Sequence, residues 1–227
     1  MAGLILALLI GSLIVGCTTA DRNKVRAGSE AGTIAEPGPG KGDAYLFDVK
    51  VFREGKKKST RLDVYRTTDS LSFFARAYLG KGVMKALLVR DSALVYFPTE
   101  NQYYAGPLNA LVTNGCADRF AFEQLILDMF RILPVQIDYA TDNFYVNVVR
   151  EGPNERVYRL MSTRCNDAIL LEYRREDGRY IPYLIAYARD DDSFRFEARR
   201  RTVRMNVDIP ADKFAITIPE TAVRIEP

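Results

Sequence analysis

The residues of this 227-residue chain best equipped for chemistry are three cysteines and a cluster of arginines near the end; histidine is absent. Without His, a Ser-His-Asp triad, a Cys-His pair and His-based zinc sites are excluded. The commonest acid–base group at neutral pH is also missing. The chain therefore reads as a non-enzyme, with no cofactor and no metal expected. Asp190-Asp191-Asp192 offers hard oxygen ligands, but it lacks the spaced acceptors of a calcium loop and reads as a solvated turn. Arg195, Arg199, Arg200, Arg201 and Arg204 form a basic segment opposed by Glu197 alone. Two readings stay open for it: a solvated sheet face, or contact of Arg199, Arg201 and Arg204 with anionic lipid head groups. Cys116 and Cys165 are also open, as a disulfide or as two separate buried thiols. A bridge over that loop would contribute about 3–5 kcal/mol if free of strain.

Cys17 is the third cysteine, and its setting is distinctive. It follows Leu4-Ile5-Leu6-Ala7-Leu8-Leu9-Ile10-Gly11-Ser12-Leu13-Ile14-Val15-Gly16. That apolar run is too short to span a bilayer and has the size of a signal-peptide core. Ile14-Val15-Gly16-Cys17 resembles the bacterial lipobox. The resemblance implies removal of residues 1–16, acylation of Cys17 and stable anchoring by several chains, since one chain alone binds marginally. Thr18 in place of Asp after the cysteine resembles an outer-membrane address, on the periplasmic face.

The elements that would position any site follow from patterning. Residues 17–42 end in Glu36-Pro37-Gly38-Pro39-Gly40-Lys41-Gly42. Small residues with Gly and Pro bury too little surface to order themselves, so this stretch reads as a tether. Residues 43–227 read as one domain, long enough for a sizeable core. Its 13 Tyr and 12 Phe suit strands. Net charge of +3 gives no reason to expect nucleic acid.

Alternation marks a meander of six strands between residues 45 and 106. Leu71, Phe73, Ala75, Ala77 and Leu79 share one face of the third, and Met84, Ala86 and Leu88 share one face of the fourth. Asp118–Leu133 then shows helical spacing of Phe122, Leu125, Ile126, Met129, Ile132 and Leu133, ended by Pro134. More strands follow near 144–148, 156–163, 168–174, 180–187, 194–200 and 203–209. Pro182 is expected at an edge or bulge. Eleven or twelve strands in one antiparallel sheet must curl.

The ordered series Arg66-Thr67-Thr68-Asp69-Ser70, Leu79-Gly80-Lys81-Gly82-Val83, Asp91-Ser92-Ala93-Leu94-Val95-Tyr96-Phe97-Pro98 and Asn101-Gln102-Tyr103-Tyr104 resembles the LolA/LolB-like superfamily of bacterial lipoprotein carriers and acceptors, closest to its uncharacterised lipoproteins. Val207-Asp208-Ile209-Pro210-Ala211-Asp212-Lys213-Phe214 resembles that superfamily's closing segment. The resemblance implies a mainly β fold, an unclosed and strongly curved antiparallel barrel of about eleven strands with a plug helix. It also implies an apolar cavity for a lipid or the acyl chains of a lipoprotein cargo. Leu71, Phe73, Leu79, Met84, Leu88, Phe144, Val146 and Phe194 are candidates for its lining, or else form a closed core; Leu79 reads as the core-facing end of a strand, with the resemblance offering the alternative of the protruding apolar loop residue in LolB-type acceptors. The alternative is an interaction module, holding protein partners of an envelope complex on its sheet.

Overall fold

In the computed structural model the described residues are 40–53, 55–77, 80–90, 92–108, 110, 130, 144–162, 167–189 and 193–226. Eleven strands run in chain order: β1 Gly40–Arg53, β2 Lys56–Arg66, β3 Ser70–Arg76, β4 Gly82–Val89, β5 Ser92–Phe97, β6 Gln102–Pro107, β7 Phe144–Glu151, β8 Glu155–Ser162, β9 Ala168–Glu176, β10 Arg179–Ala188 and β11 Phe194–Ile209. A short β12, Val223–Arg224, closes the chain after a 3-10 turn at Ala211–Lys213.

All twelve form one sheet, ordered β12-β6-β5-β4-β3-β2-β1-β11-β10-β9-β8-β7. Pairing is antiparallel except where β12 joins β6 in parallel. The sheet is open: β12 and β7 are its edges.

Period-two patterning decides which side each residue faces. In β1, Tyr45, Phe47, Val49 and Val51 are buried while Asp48 between them is exposed. Leu62, Val64, Leu71, Phe73, Ala75, Met84, Ala86 and Leu88 continue that buried face, and Ile169, Leu171, Ile185, Phe196 and Ala198 continue it on the other arm. They belong to one cluster, with no second sheet among the described residues to cover it. A single sheet buries a face this wide by curling, with that face inside.

The C-terminal segment crosses the outer face. Leu87, Ile209 and Phe214 form a second small core there, flanked by Tyr65, Val89, Leu94, Val207 and Ile216. Phe214 is fully buried, and Ser72 Oγ donates to the Lys213 carbonyl at 2.5 Å. Burying one such ring is worth about 1.5–3 kcal/mol.

Two departures from the sequence expectation stand out. Gly40–Gly42, expected in the tether, belong to β1 and pair with Val207–Ile209. Gly42 is required there, because a Cβ would collide with the Arg66 carbonyl. Residues 194–200 and 203–209, expected as two strands, are one 16-residue strand. A bulge explains the misreading: Arg201 and Thr202 are both exposed, so the alternation changes phase. Pro182 sits at a register shift in β10, as a residue without an amide proton should. Asp177-Gly178, both with positive φ, form the two-residue turn from β9 to β10.

Candidate binding face

The inner face is the surface on which Leu71, Phe73, Met84, Leu88, Val146 and Phe194, of the candidates named from the sequence, meet. Leu71 pairs with Leu88, and Ala75 with Met84, across β3 and β4. Leu71, Phe73, Met84, Leu88 and Phe194 lie in one cluster, each at most 6% exposed. Phe194 anchors the far end of β11, its ring 6.0 Å from Tyr187. Val146 is half-buried and packs against the same cluster. Phe144 is in β7 opposite Ser162, and its side chain is outside the described set. Leu79, Cys17, Cys116, Cys165, Asp190–Asp192 and the helix expected over Asp118–Leu133, Phe130 apart, lie outside the described residues.

One aromatic ring covers the centre of this face. The connection from β6 to β7 joins strands on opposite arms of the sheet, and Phe130 belongs to it. Its ring centroid lies 5.6 Å from Phe73 and 5.9 Å from Phe47, both edge-on, and 6.1 Å from Tyr45. The Tyr45 hydroxyl donates to the Phe130 carbonyl at 3.2 Å. Burial, reinforced by the nearby Asp43 carboxylate, pushes the Tyr45 phenol well above its ordinary range. It therefore stays neutral and keeps its donor proton. The helical stripe read from the sequence omitted Phe130, although it stands four residues after Ile126 and three before Leu133. In a helix that spacing would put all three along one side, and it was the available signal.

Polar groups ring the apolar face near its start. Asp43 accepts from Arg66 Nη1 at 3.0 Å and from the Asn206 amide at 3.1 Å. Arg200 faces inward opposite Phe47, its side chain only 6% exposed. One terminal nitrogen pairs with Glu176, and the other is buried without a hydrogen-bond partner among the described residues. Sequence reading grouped Arg200 with a basic segment. The alternation of exposed Arg199 and Arg201 around it was the sign that it points inward.

Of the arginines proposed for head groups, Arg199 and Arg201 come together on the outer face, while Arg204 lies exposed beyond the bulge. Arg199 pairs with Glu197 at 3.3 Å and Arg201 with Asp48 at 3.8 Å. A hydrogen bond to Tyr183, then Glu197, raises the Arg199 pKa further. Glu197 is thus joined by Asp48 and Glu176 in opposing this basic segment.

No protein-family model matches the chain, and no curated protein does. Solved structures do match. A DUF1329 family protein from Desulfovibrio piger is 11% identical, with 78% of this chain and 90% of that one covered at a TM-score of 0.46. An outer membrane lipoprotein-sorting protein domain from Vibrio parahaemolyticus is 9% identical, covering 76% and 88% at 0.40. A LolA superfamily protein from Nitrosomonas europaea is 11% identical, covering 78% and 91% at 0.36. The superfamily that the sequence resembles is among the matches. At TM-scores below 0.5, none of these superpositions bears on what this chain binds.

Proposed function

We propose that this chain is an outer-membrane-anchored periplasmic lipoprotein that binds a lipid or acyl chain non-catalytically on the inner face of its sheet. The observation that carries the reading is the cover of that face: a broad apolar surface over whose centre lies Phe130, the one ring of the β6–β7 connection among the described residues. The lipobox-like Cys17 supports the anchor, and lipoprotein delivery is a role that anchor and acyl site would serve together.

Magnitudes favour exchange of ring for ligand. Withdrawing one buried aromatic ring costs about 1.5–3 kcal/mol. An acyl chain regains about 0.8 kcal/mol per buried CH₂, so roughly four methylenes offset the loss. Longer chains win. The test is uptake of a fluorescent fatty acid, with native mass spectrometry, by the chain carrying Cys17→Ser. Saturable uptake and a co-purifying lipid are expected. Absence of both, in this protein and in its Phe130→Ala variant, would defeat the reading.

The interaction-module alternative draws on a separate observation. β7 is an edge strand with Tyr145, Val148 and Val149 exposed. An extended segment of a partner could pair with such an edge. Charged substitutions at Val148 and Val149 would abolish partner capture and leave acyl uptake intact if this edge is what the protein uses.

A further inference from the structure

At the far end of β3 the sheet leaves a hollow. β3 ends at Arg76, opposite Arg61, while β2 runs on beside β1, which is itself still paired with β11. Beside them lies a cavity of about 540 Å³, lined by Asp48, Lys50, Ser59, Arg61, Arg76 and Gly80, with Val49, Thr60 and Ala77. The volume falls within the range of small-molecule sites. Its lining draws on both faces of the sheet: Val49 and Ala77 pack with the apolar interior, whereas Asp48 and Arg61 are exposed on the outside.

The charges do not cancel. Three cations line the cavity against one carboxylate. Lys50 forms no ion pair among the described residues. Arg61 approaches Asp48 only at 4.0 Å, with both side chains more than half exposed, and Asp48 is shared with Arg201 at 3.8 Å. Arg76 reaches Asp63 through one terminal nitrogen at 2.6 Å, yet its Nε is buried with no acceptor among the described residues. A buried donor without an acceptor is uncommon in folded proteins.

We propose that this cavity binds a phosphoryl group, with Lys50, Arg61 and Arg76 as its cationic ligands and Ser59 as a hydroxyl donor. With Asp48 and Asp63 set against the three cations, one positive charge remains for a phosphate oxygen, and guanidinium forks suit phosphate oxygens. The cavity is too large for the anion alone, so the phosphate arrives attached to a further group. Two sources share this chemistry. One is a phospholipid head group whose chains pass Val49 and Ala77 toward the inner face; this source rests on the acyl-binding reading. The other is a soluble phosphorylated small molecule, which does not.

Calorimetric titration of the full chain carrying Cys17→Ser separates them, using dihexanoyl phosphatidylglycerol below its micellar concentration and glycerol 3-phosphate. Saturable binding is expected, weakened by added salt and by about tenfold or more with Lys50→Glu or Arg61→Ala. Both side chains are at least partly exposed, so these variants keep the fold, which thermal unfolding checks. Arg179→Glu makes the same charge change as Lys50→Glu on an exposed residue elsewhere. Binding of the short-chain lipid alone assigns the head group as source; equal binding of both ligands assigns the soluble phosphate. The proposal is overturned if neither ligand binds, or if Arg179→Glu weakens binding as much as Lys50→Glu. Fatty-acid uptake without phosphoryl binding sinks this site and leaves the acyl reading standing. Phosphoryl binding without uptake does the reverse.

Discussion

Two segments lie against this sheet, one on each face, and they are held in different ways. Outside, the C-terminal segment is tied by hydrogen bonds along its course. Ser72 donates to Lys213, Asn101 Nδ2 to the Thr221 carbonyl, and the amides of Val223 and Ile225 to Asn101 and Tyr103. Its apolar anchor, Phe214, is fully buried over Leu87 and Ile209. Inside, Phe130 rests on three rings, and Tyr45 supplies a hydrogen bond. Ring contacts are non-directional and can be replaced by any apolar partner of similar size. Strand pairing cannot be replaced by an acyl chain. The outer segment is therefore part of the fold, and the inner ring is the part that the proposed acyl ligand would displace.

The largest expected effect is on the outer side. Phe214→Ala should cost about 3–5 kcal/mol of unfolding free energy, the usual range for a buried Phe. Chemical denaturation measures it, and a loss below about 1 kcal/mol would erase the contrast between the two segments. Phe130→Ala comes next. It should cost less than Phe214→Ala, under about 3 kcal/mol, if the ring closes the face rather than builds the fold. Fatty-acid uptake should become faster at the same time. Slower uptake in a folded Phe130→Ala protein would mean that the ring builds the site rather than closing it.

Tyr45→Phe sharpens the same comparison by removing one hydrogen bond and little volume. A loss of about 1 kcal/mol is expected, with uptake again accelerated, since Phe130 is held less firmly. Glu100 provides the smallest effect. Partial burial raises its carboxyl pKa, so the folded state holds this proton more tightly than the unfolded chain. Its contribution therefore improves stability as pH falls through the folded pKa and fades as pH rises above it. Glu100→Gln should flatten that dependence and change stability at neutral pH by no more than about 0.5 kcal/mol, visible in melting curves across pH 4–7.

The strands were legible wherever alternation ran unbroken. The buried face of β3 and β4 was named residue by residue, and Leu71, Phe73, Met84 and Leu88 are where period two puts them. Legibility failed where the period breaks. The bulge at Arg201 splits the pattern of β11 in two, and two-residue β12 is too short to show a pattern at all. For the candidate site, the apolar wall was visible and a covering helix was expected over Asp118–Leu133, but the ring that rests on the face was not named. Phe130 was passed over for neighbours on its own segment. Lys50, Arg61 and Arg76 escaped notice because they are far apart in sequence and ordinary in type.

What the sequence determined by itself is local: which residues alternate, where the chain turns, the lack of histidine chemistry, and a cysteine placed like an acylation site. Each follows from neighbours within a few positions, where backbone geometry dictates the period. Tertiary structure alone decided what meets across the sheet: the ring over the inner face, the outer strap ending at β6, the inward turn of Arg200, and three cations around one hollow. Those depend on register and curvature, set by the burial of one continuous face over the whole chain, and no short stretch encodes them.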